Sequence, residues 1–217
     1  MKIKTKVLSA MLLLSVLHLP VSGQEGRQSV LAQNREASYD KMERGLSYFQ
    51  QGLYSRAVAE YSDAIKLDPR YELYIYRGQA YRADKQYDLA MADFNTAIQD
   101  DANSNQGFFN RALVYLEEGM LPDAIADFTE AIRLNPADAS AYVNRGVSNM
   151  QRQQYNLALP DFTMALQIRP DFIEAWYNRG LVYHLIGDDA KAKLDWEAGL
   201  KIDPNYTLIK DNIGVLN

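Results

Sequence analysis

Small and aromatic residues return along this chain at a nearly fixed interval. The small residue that follows a recurring arginine falls at Gly45, Gly78, Ala112, Gly146 and Gly180, spaced by 33, 34, 34 and 34 residues. Five units follow: 38–70, 71–104, 105–138, 139–172 and 173–206. With places counted from the start of each unit, place eight is that small residue, and place eleven is Tyr48, Tyr81, Tyr115, Asn149 or Tyr183. Place twenty is alanine in every unit (Ala57, Ala90, Ala124, Ala158, Ala192). Place twenty-four is always aromatic (Tyr61, Phe94, Phe128, Phe162, Trp196), and place twenty-seven is Ala64, Ala97, Ala131, Ala165 or Gly199. Places four, eight and eleven share one face of a 3.6-residue helix, and places twenty, twenty-four and twenty-seven share one face of a second. Each unit therefore predicts two amphipathic helices, whose small residues let the backbones approach while the aromatic side chain fills the space beside them.

Place thirty-two ends the second helix with Pro69, Pro136, Pro170 or Pro204. Proline cannot continue a helix and sets the turn into the next unit. In the second unit Ala102 stands there instead, and "DANSNQG" from Asp101 reads as a turn and helix start. Helical hairpins of this size cannot bury their apolar faces alone, whereas stacked they form a continuous core in an open superhelix. The pattern has departures. The first junction is one residue short, Pro160 falls inside a second helix, and Gly199 is expected to weaken the last one. Residues 207–217 place Leu208, Ile209 and Ile213 on one stripe and predict a short C-terminal cap. The polar residues 24–37 predict a loose leader.

A charge recurs inside this apolar pattern. Arg44, Arg77, Arg111, Arg145 and Arg179 hold place seven, and Glu60, Asp93, Asp127, Asp161 and Asp195 hold place twenty-three. A cation on the first helix and a carboxylate on the second, each adjoining a packed position, predict an interhelical ion pair within the unit or with its neighbour. A guanidinium fork holds a carboxylate with two hydrogen bonds while its methylene stem packs beside the core.

These five in-phase copies, covering 38–206, resemble the tetratricopeptide repeat family. The resemblance implies an all-α, right-handed superhelix (α-solenoid) of five helix-turn-helix repeats. It also implies a concave groove lined by first-helix places two, five, six, nine, twelve and thirteen. Place six carries Glu43, Tyr76, Asn110, Asn144 and Asn178, the last three forming an asparagine row. An asparagine both donates to a peptide carbonyl and accepts from a peptide amide, so such a row reads backbone rather than side chains. The competing role is a local cap or bridge between repeats. Place five adds Ile75, Phe109, Val143 and Tyr177, and place nine adds Leu113, Val147 and Leu181. Place twelve adds Phe49, Arg82, Leu116, Met150 and His184. An apolar trough with amide groups suits an amphipathic helix or an extended segment. The family's lysine- and arginine-lined trough for C-terminal carboxylates finds only Arg82 here.

Composition adds a location and removes chemistry. "MKIKTKVLSAMLLLSVLHLPVSG" has three lysines, an apolar run from Val7 to Leu19 and a small-residue site at Val21-Ser22-Gly23, the layout of a secretory signal over 1–23. Loss of three positive charges on cleavage near Gly23 takes the formal net charge from −5 to −8. With no cluster of Lys and Arg to neutralise phosphates, nucleic acid and anionic membranes are poor partners. Membrane contact is then expected only through a partner or an uncleaved signal. An exported chain without cysteine suits a periplasm or another extracytoplasmic space.

His184 is the sole histidine after residue 23, and one histidine makes neither a metal site nor a catalytic triad. The segment from Asp101 imitates a calcium loop but has glycine one place late and Ala112 where the closing glutamate belongs. No phosphate-binding glycine loop is present. The sequence thus points to a non-enzymatic, cofactor-free and metal-free adaptor that holds a peptide or helix of a partner protein in the cell envelope. The alternative is a structural protein that self-assembles into homo-oligomers.

Overall fold

A computed structural model of the chain describes residues 21–215, which fall into two compact units meeting at Pro69 and Arg70. The expected signal segment lies almost wholly outside the described residues. Helices form throughout, and no strand occurs among the described residues.

In the first unit α1 (Val21–Gln50) folds back on α2 (Tyr54–Leu67). Gly45 makes the close approach possible: a Cβ there would lie 2.5 Å from the Tyr61 ring. Ala57, Tyr61 and Ala64 are buried on the facing helix. Ser38, fully buried, donates its hydroxyl to the Ala64 carbonyl at 3.0 Å. Residues 24–37, expected as a loose leader, are instead the N-terminal half of α1. The segment has no proline and a single glycine, and its Gln, Glu, Arg, Ala and Leu residues cost little in a helix. Once the packed turns around Ser38 and Gly45 nucleate the helix, each added residue extends it cheaply.

In the second unit four hairpins follow one another. They are α3 (Tyr71–Ala83) with α4 (Tyr87–Asp100), α5 (Asn105–Glu117) with α6 (Leu121–Leu134), α7 (Ala139–Gln151) with α8 (Tyr155–Ile168), and α9 (Ile173–Leu185) with α10 (Asp189–Ile202). Each second helix also packs on the first helix of the next hairpin, α4 on α5, α6 on α7 and α8 on α9, so the four hairpins form one stack. Phe94, Phe128, Phe162 and Trp196 are fully buried, as are the alanines of place twenty beside them.

The turn inside each hairpin is a Schellman-type closure. The amide of place sixteen donates to the carbonyl of place eleven: Gln86 to Tyr81, Met120 to Tyr115, Gln154 to Asn149, and Asp188 to Tyr183, at 2.8 to 2.9 Å. Place fifteen is left-handed, with φ 75° at Gly119 and 85° at Gly187 but also 59° at Lys85 and at Gln153. Between hairpins, Ser104 caps α5 by accepting from the Gly107 amide, and Asp138 caps α7 by accepting from those of Ser140 and Ala141.

Pro160 lies in the second turn of α8, and the helix nonetheless runs on to Ile168. At the C-terminus α11 (Thr207–Val215) packs on α10. Gly199, expected only to weaken its helix, lies under the cap: a Cβ there would meet Ile209 Cδ1 at 2.5 Å. Ile209 is fully buried, and Ile213 packs in the same cluster. Leu208, placed with them by the sequence pattern, is instead half exposed, because it adjoins Ile209 and points round the helix from it.

Candidate functional site

Place seven carries a cation at the same position of every first helix, and the structure sets each against the acid sixteen residues on. Arg77 holds Asp93 through Nε and Nη2 at 2.8 and 2.7 Å. Arg111 holds Asp127 at 2.6 and 2.8 Å, Arg145 holds Asp161 at 3.0 and 2.6 Å, and Arg179 holds Asp195 at 2.8 Å through both nitrogens. All four aspartates are buried. The hydrogen bonds to aspartate push the Arg77, Arg111 and Arg179 pKa values up despite the opposing effect of burial. In the first hairpin Arg44 reaches Glu60 through one contact of 3.2 Å and is more than half exposed, and Lys41 shares the same carboxylate at 3.3 Å.

The guanidinium does more than close its own hairpin. Nη1 of Arg111 donates to Asn95 Oδ1 on α4, that of Arg145 to Thr129 on α6, and that of Arg179 to Thr163 on α8. One side chain therefore ties three helices. An aromatic ring three residues earlier flanks each cation, with Tyr74, Phe108, Tyr142 and Trp176 at 5.7, 5.5, 5.6 and 5.0 Å from the guanidinium carbon. The aromatic at place four and the acceptor at place twenty-five were missed in the sequence, although both recur at the period of 34.

The groove candidates separate. Tyr76, Phe109 and Asn110 meet in a cleft of about 440 Å³ along the first helices α3, α5 and α7, together with Gln79, Gln106 and Ser140. A second cleft of about 280 Å³ shares Tyr76, Asn105 and Gln106 and continues to Tyr71, Glu72 and Asp101. Asp138, Glu72 and Asp101 line this trough, and among the described residues no lysine or arginine does. Tyr71 is pushed up in pKa, first by burial and then by Glu72 and Asp101. Gln106 and Ser140 hold place two; the polar Gln79 at place nine escaped notice because its counterparts are aliphatic.

Asn110, Asn144 and Asn178 each donate Nδ2 to the carbonyl four residues back, Gln106, Ser140 and Glu174, at 2.8, 2.8 and 2.7 Å. Asn110 is buried, and its Oδ1 accepts from Gln79 across the repeat boundary at 3.1 Å. The local role of the row is thus the one seen, and Asn144 and Asn178 do not line the trough. Place five is divided between core and surface. Ile75 and Val143 are buried, Phe109 sits edge-on to Phe128 at 5.7 Å, and Tyr177 packs with Tyr206 at 6.1 Å while its carbonyl accepts from the Trp196 indole. Tyr177 is thereby half-buried between its own hairpin and the C-terminal helix. Arg82 bridges to Glu117 on the next hairpin at 2.8 Å, and His184 Nδ1 lies 2.6 Å from Asp189. Among the described residues no group of acids and histidines is placed to hold a metal ion, and no helix is long and apolar enough to cross a membrane.

This geometry has close parallels. Tetratricopeptide repeat profiles match residues 42–105 and 173–206, and a TPR repeat profile matches 113–151 and 148–187. The chain belongs to the tetratricopeptide repeat family. Among solved structures, this tetratricopeptide repeat chain is similar to MamA, at 21% identity over 79% of this chain and 94% of that one, with a TM-score of 0.67. It is also similar to YrrB, a TPR protein with an unusual peptide-binding site, at 21% identity over 86% and 97%, TM-score 0.67. The APC/C hetero-tetramer Cut9–Hcn1 matches at 18% identity over 79% of this chain and 34% of that one, TM-score 0.71. At these identities the likeness is one of fold. No curated protein sequence matches the chain.

Proposed function

We propose that this tetratricopeptide repeat protein is a non-enzymatic adaptor that is exported and holds a segment of a partner protein in the cell envelope. The single observation that carries the binding mode is the trough along α3, α5 and α7, with an aromatic wall at Tyr76 and side-chain amides from Gln79, Asn105 and Gln106. Amides donate to and accept from an extended backbone, and ring faces take its apolar side chains. Three carboxylates without a cation favour a neutral or basic segment over a C-terminal carboxylate tail. Proteins of this family generally act as interaction scaffolds, and YrrB is described as having a peptide-binding site. Location in the envelope rests on the signal-like residues 1–23, which also supply the test of export.

A photo-crosslinking residue placed at Gln106, exposed on α5, and another at Leu194, exposed on α10 and lining neither cleft, distinguishes the trough from the rest of the surface. Crosslinks to one partner from 106 alone are expected. Equal capture from both positions would overturn the trough as the binding surface. A fusion to a phosphatase that is active only outside the cytoplasm is expected to be active, and an inactive fusion would overturn export.

A further inference from the structure

In three of the four hairpins of Arg70–Asn217 place eleven is a tyrosine. Tyr81, Tyr115 and Tyr183 are half-buried against the alanine of place twenty and the aromatic of place twenty-four. The hairpin of α7 and α8 has Asn149 there instead, at 4% exposure. Nδ2 of Asn149 lies 3.5 Å from Asp161 Oδ2, a carboxylate that only accepts, which fixes the amide with its nitrogen toward the acid. Its oxygen is buried, and no group among the described residues donates to it.

Beside Asn149 lies a cleft of about 320 Å³, walled by Ile125, Thr129, Leu157 and Pro160 and sharing Asn149 and the Arg145–Asp161 pair in its lining. A dry cavity of about 150 Å³ already admits a benzene ring. The Arg145 fork is satisfied by Asp161 and Thr129, so the polar demand left in the cleft is the single acceptor on Asn149. Apolar walls, a guanidinium and one waiting acceptor call for an aromatic ring that carries one donor.

We propose that this cleft binds a tyrosine side chain supplied by another polypeptide, its ring taking the place the chain's own tyrosine holds in the sibling hairpins and its hydroxyl donating to Asn149 Oδ1. The hairpin of α3 and α4 gives the precedent: the Arg77 guanidinium lies 5.9 Å from the Tyr81 ring centroid, and Arg145 offers an incoming ring the same kind of neighbour. The cleft shares no residue with the trough along the first helices, so the two sites stand or fall separately.

The test is a titration of the full chain, labelled with nitrogen-15, with N-acetyl-tyrosinamide, followed by NMR. Saturable shifts are expected at the Asn149 side-chain amide and at the Thr129 and Leu157 backbone amides. N-acetyl-phenylalaninamide, lacking the hydroxyl, is expected to bind about fivefold more weakly, the worth of one neutral hydrogen bond. Asn149→Tyr fills the cleft from within, so it should abolish these shifts and raise the melting temperature. Asn149→Ala keeps the space and should erase the preference between the two amides. Gln106→Ala in the trough should leave the titration unchanged. Absence of saturable shifts up to the solubility limit, equal binding of the two amides by the parent protein, or shifts that survive Asn149→Tyr or vanish in Gln106→Ala would each overturn the assignment.

Discussion

Arg111 and Asp127 face each other across a hairpin through two parallel hydrogen bonds of 2.6 and 2.8 Å, with the carboxylate side chain only 10% exposed. A buried charge tolerates neither loss of its partner nor a partner of the wrong shape. Arg111→Met is expected to cost about 3–5 kcal/mol, because it strands Asp127 and also frees Asn95. Arg111→Lys should recover only part of this, since an ammonium cannot reproduce the planar fork. Arg44→Ala in the first hairpin, where the arginine is more than half exposed, should cost less than about 1 kcal/mol. Urea unfolding of the three variants checks the order.

Gly180 lets the Trp196 ring lie directly against its backbone in the last hairpin. A Cβ at Gly180 would lie 2.5 Å from Trp196 Nε1, and that indole is fully buried while donating to the Tyr177 carbonyl. Gly180→Ala gains helix propensity but overpacks the site, for a net loss on the order of 1 kcal/mol. Displacement of the indole should also shift tryptophan emission. The reverse change, Ala112→Gly, meets no such strain because its hairpin already houses a methyl group beside Phe128, and it should cost only about the 0.5–1 kcal/mol of an interior helical glycine.

The hairpin period was legible because it uses residues with one physical purpose each. Glycine or alanine at place eight exists to admit the aromatic at place twenty-four, and both residue classes recur in all five units. The arginine and its acid were legible for the same reason. Place five was not: Phe109 and Tyr177 are chemically suited to either a groove or a core, and only the neighbouring hairpin or the cap decides between them. The asparagine row left two roles open, and each Nδ2 is seen to serve its own backbone four residues back, a local demand that no spacing of asparagines reveals. The helical state of 24–37 was hidden by a polarity that resembles a linker, although its residues propagate a helix well once packing downstream has started one.

Lys85 and Gln153 occupy the left-handed position that Gly52, Gly119 and Gly187 hold in the other hairpins. A side chain there crowds the following carbonyl at a cost of roughly 1–2 kcal/mol. Lys85→Gly and Gln153→Gly are each expected to stabilise the protein by on the order of 1 kcal/mol, and Gly119→Ala to destabilise it by a similar amount. Thermal melts of the three single variants give the sign.

Asp188 caps α10 by accepting from the Lys191 amide at 3.1 Å and from the Lys191 ammonium at 2.6 Å. The side-chain bond first and the backbone bond second hold its carboxyl below the ordinary range. A carboxyl lowered on folding stabilises fully at neutral pH, and its contribution fades as the pH falls through the ordinary carboxylate range toward the folded value. Asp188→Asn keeps a capping oxygen but does not titrate. The melting temperature of the parent should therefore exceed that of the variant at neutral pH, with the gap closing in acid.

Ile209 and Gly199 decide whether α11 is part of the fold. The isoleucine is fully buried over the glycine, in one cluster with Ala192 and Trp196, so the last hairpin is closed by nine residues of helix resting on a single deep anchor. Removing that anchor opens the core rather than trimming its edge. Ile209→Ala is expected to cost about 2–5 kcal/mol and to raise amide hydrogen exchange along α10 as well as α11. Leu208→Ala, one residue away but half exposed, should change either quantity little. Protection of α10 unchanged in Ile209→Ala would show that α11 rests on the stack without completing it.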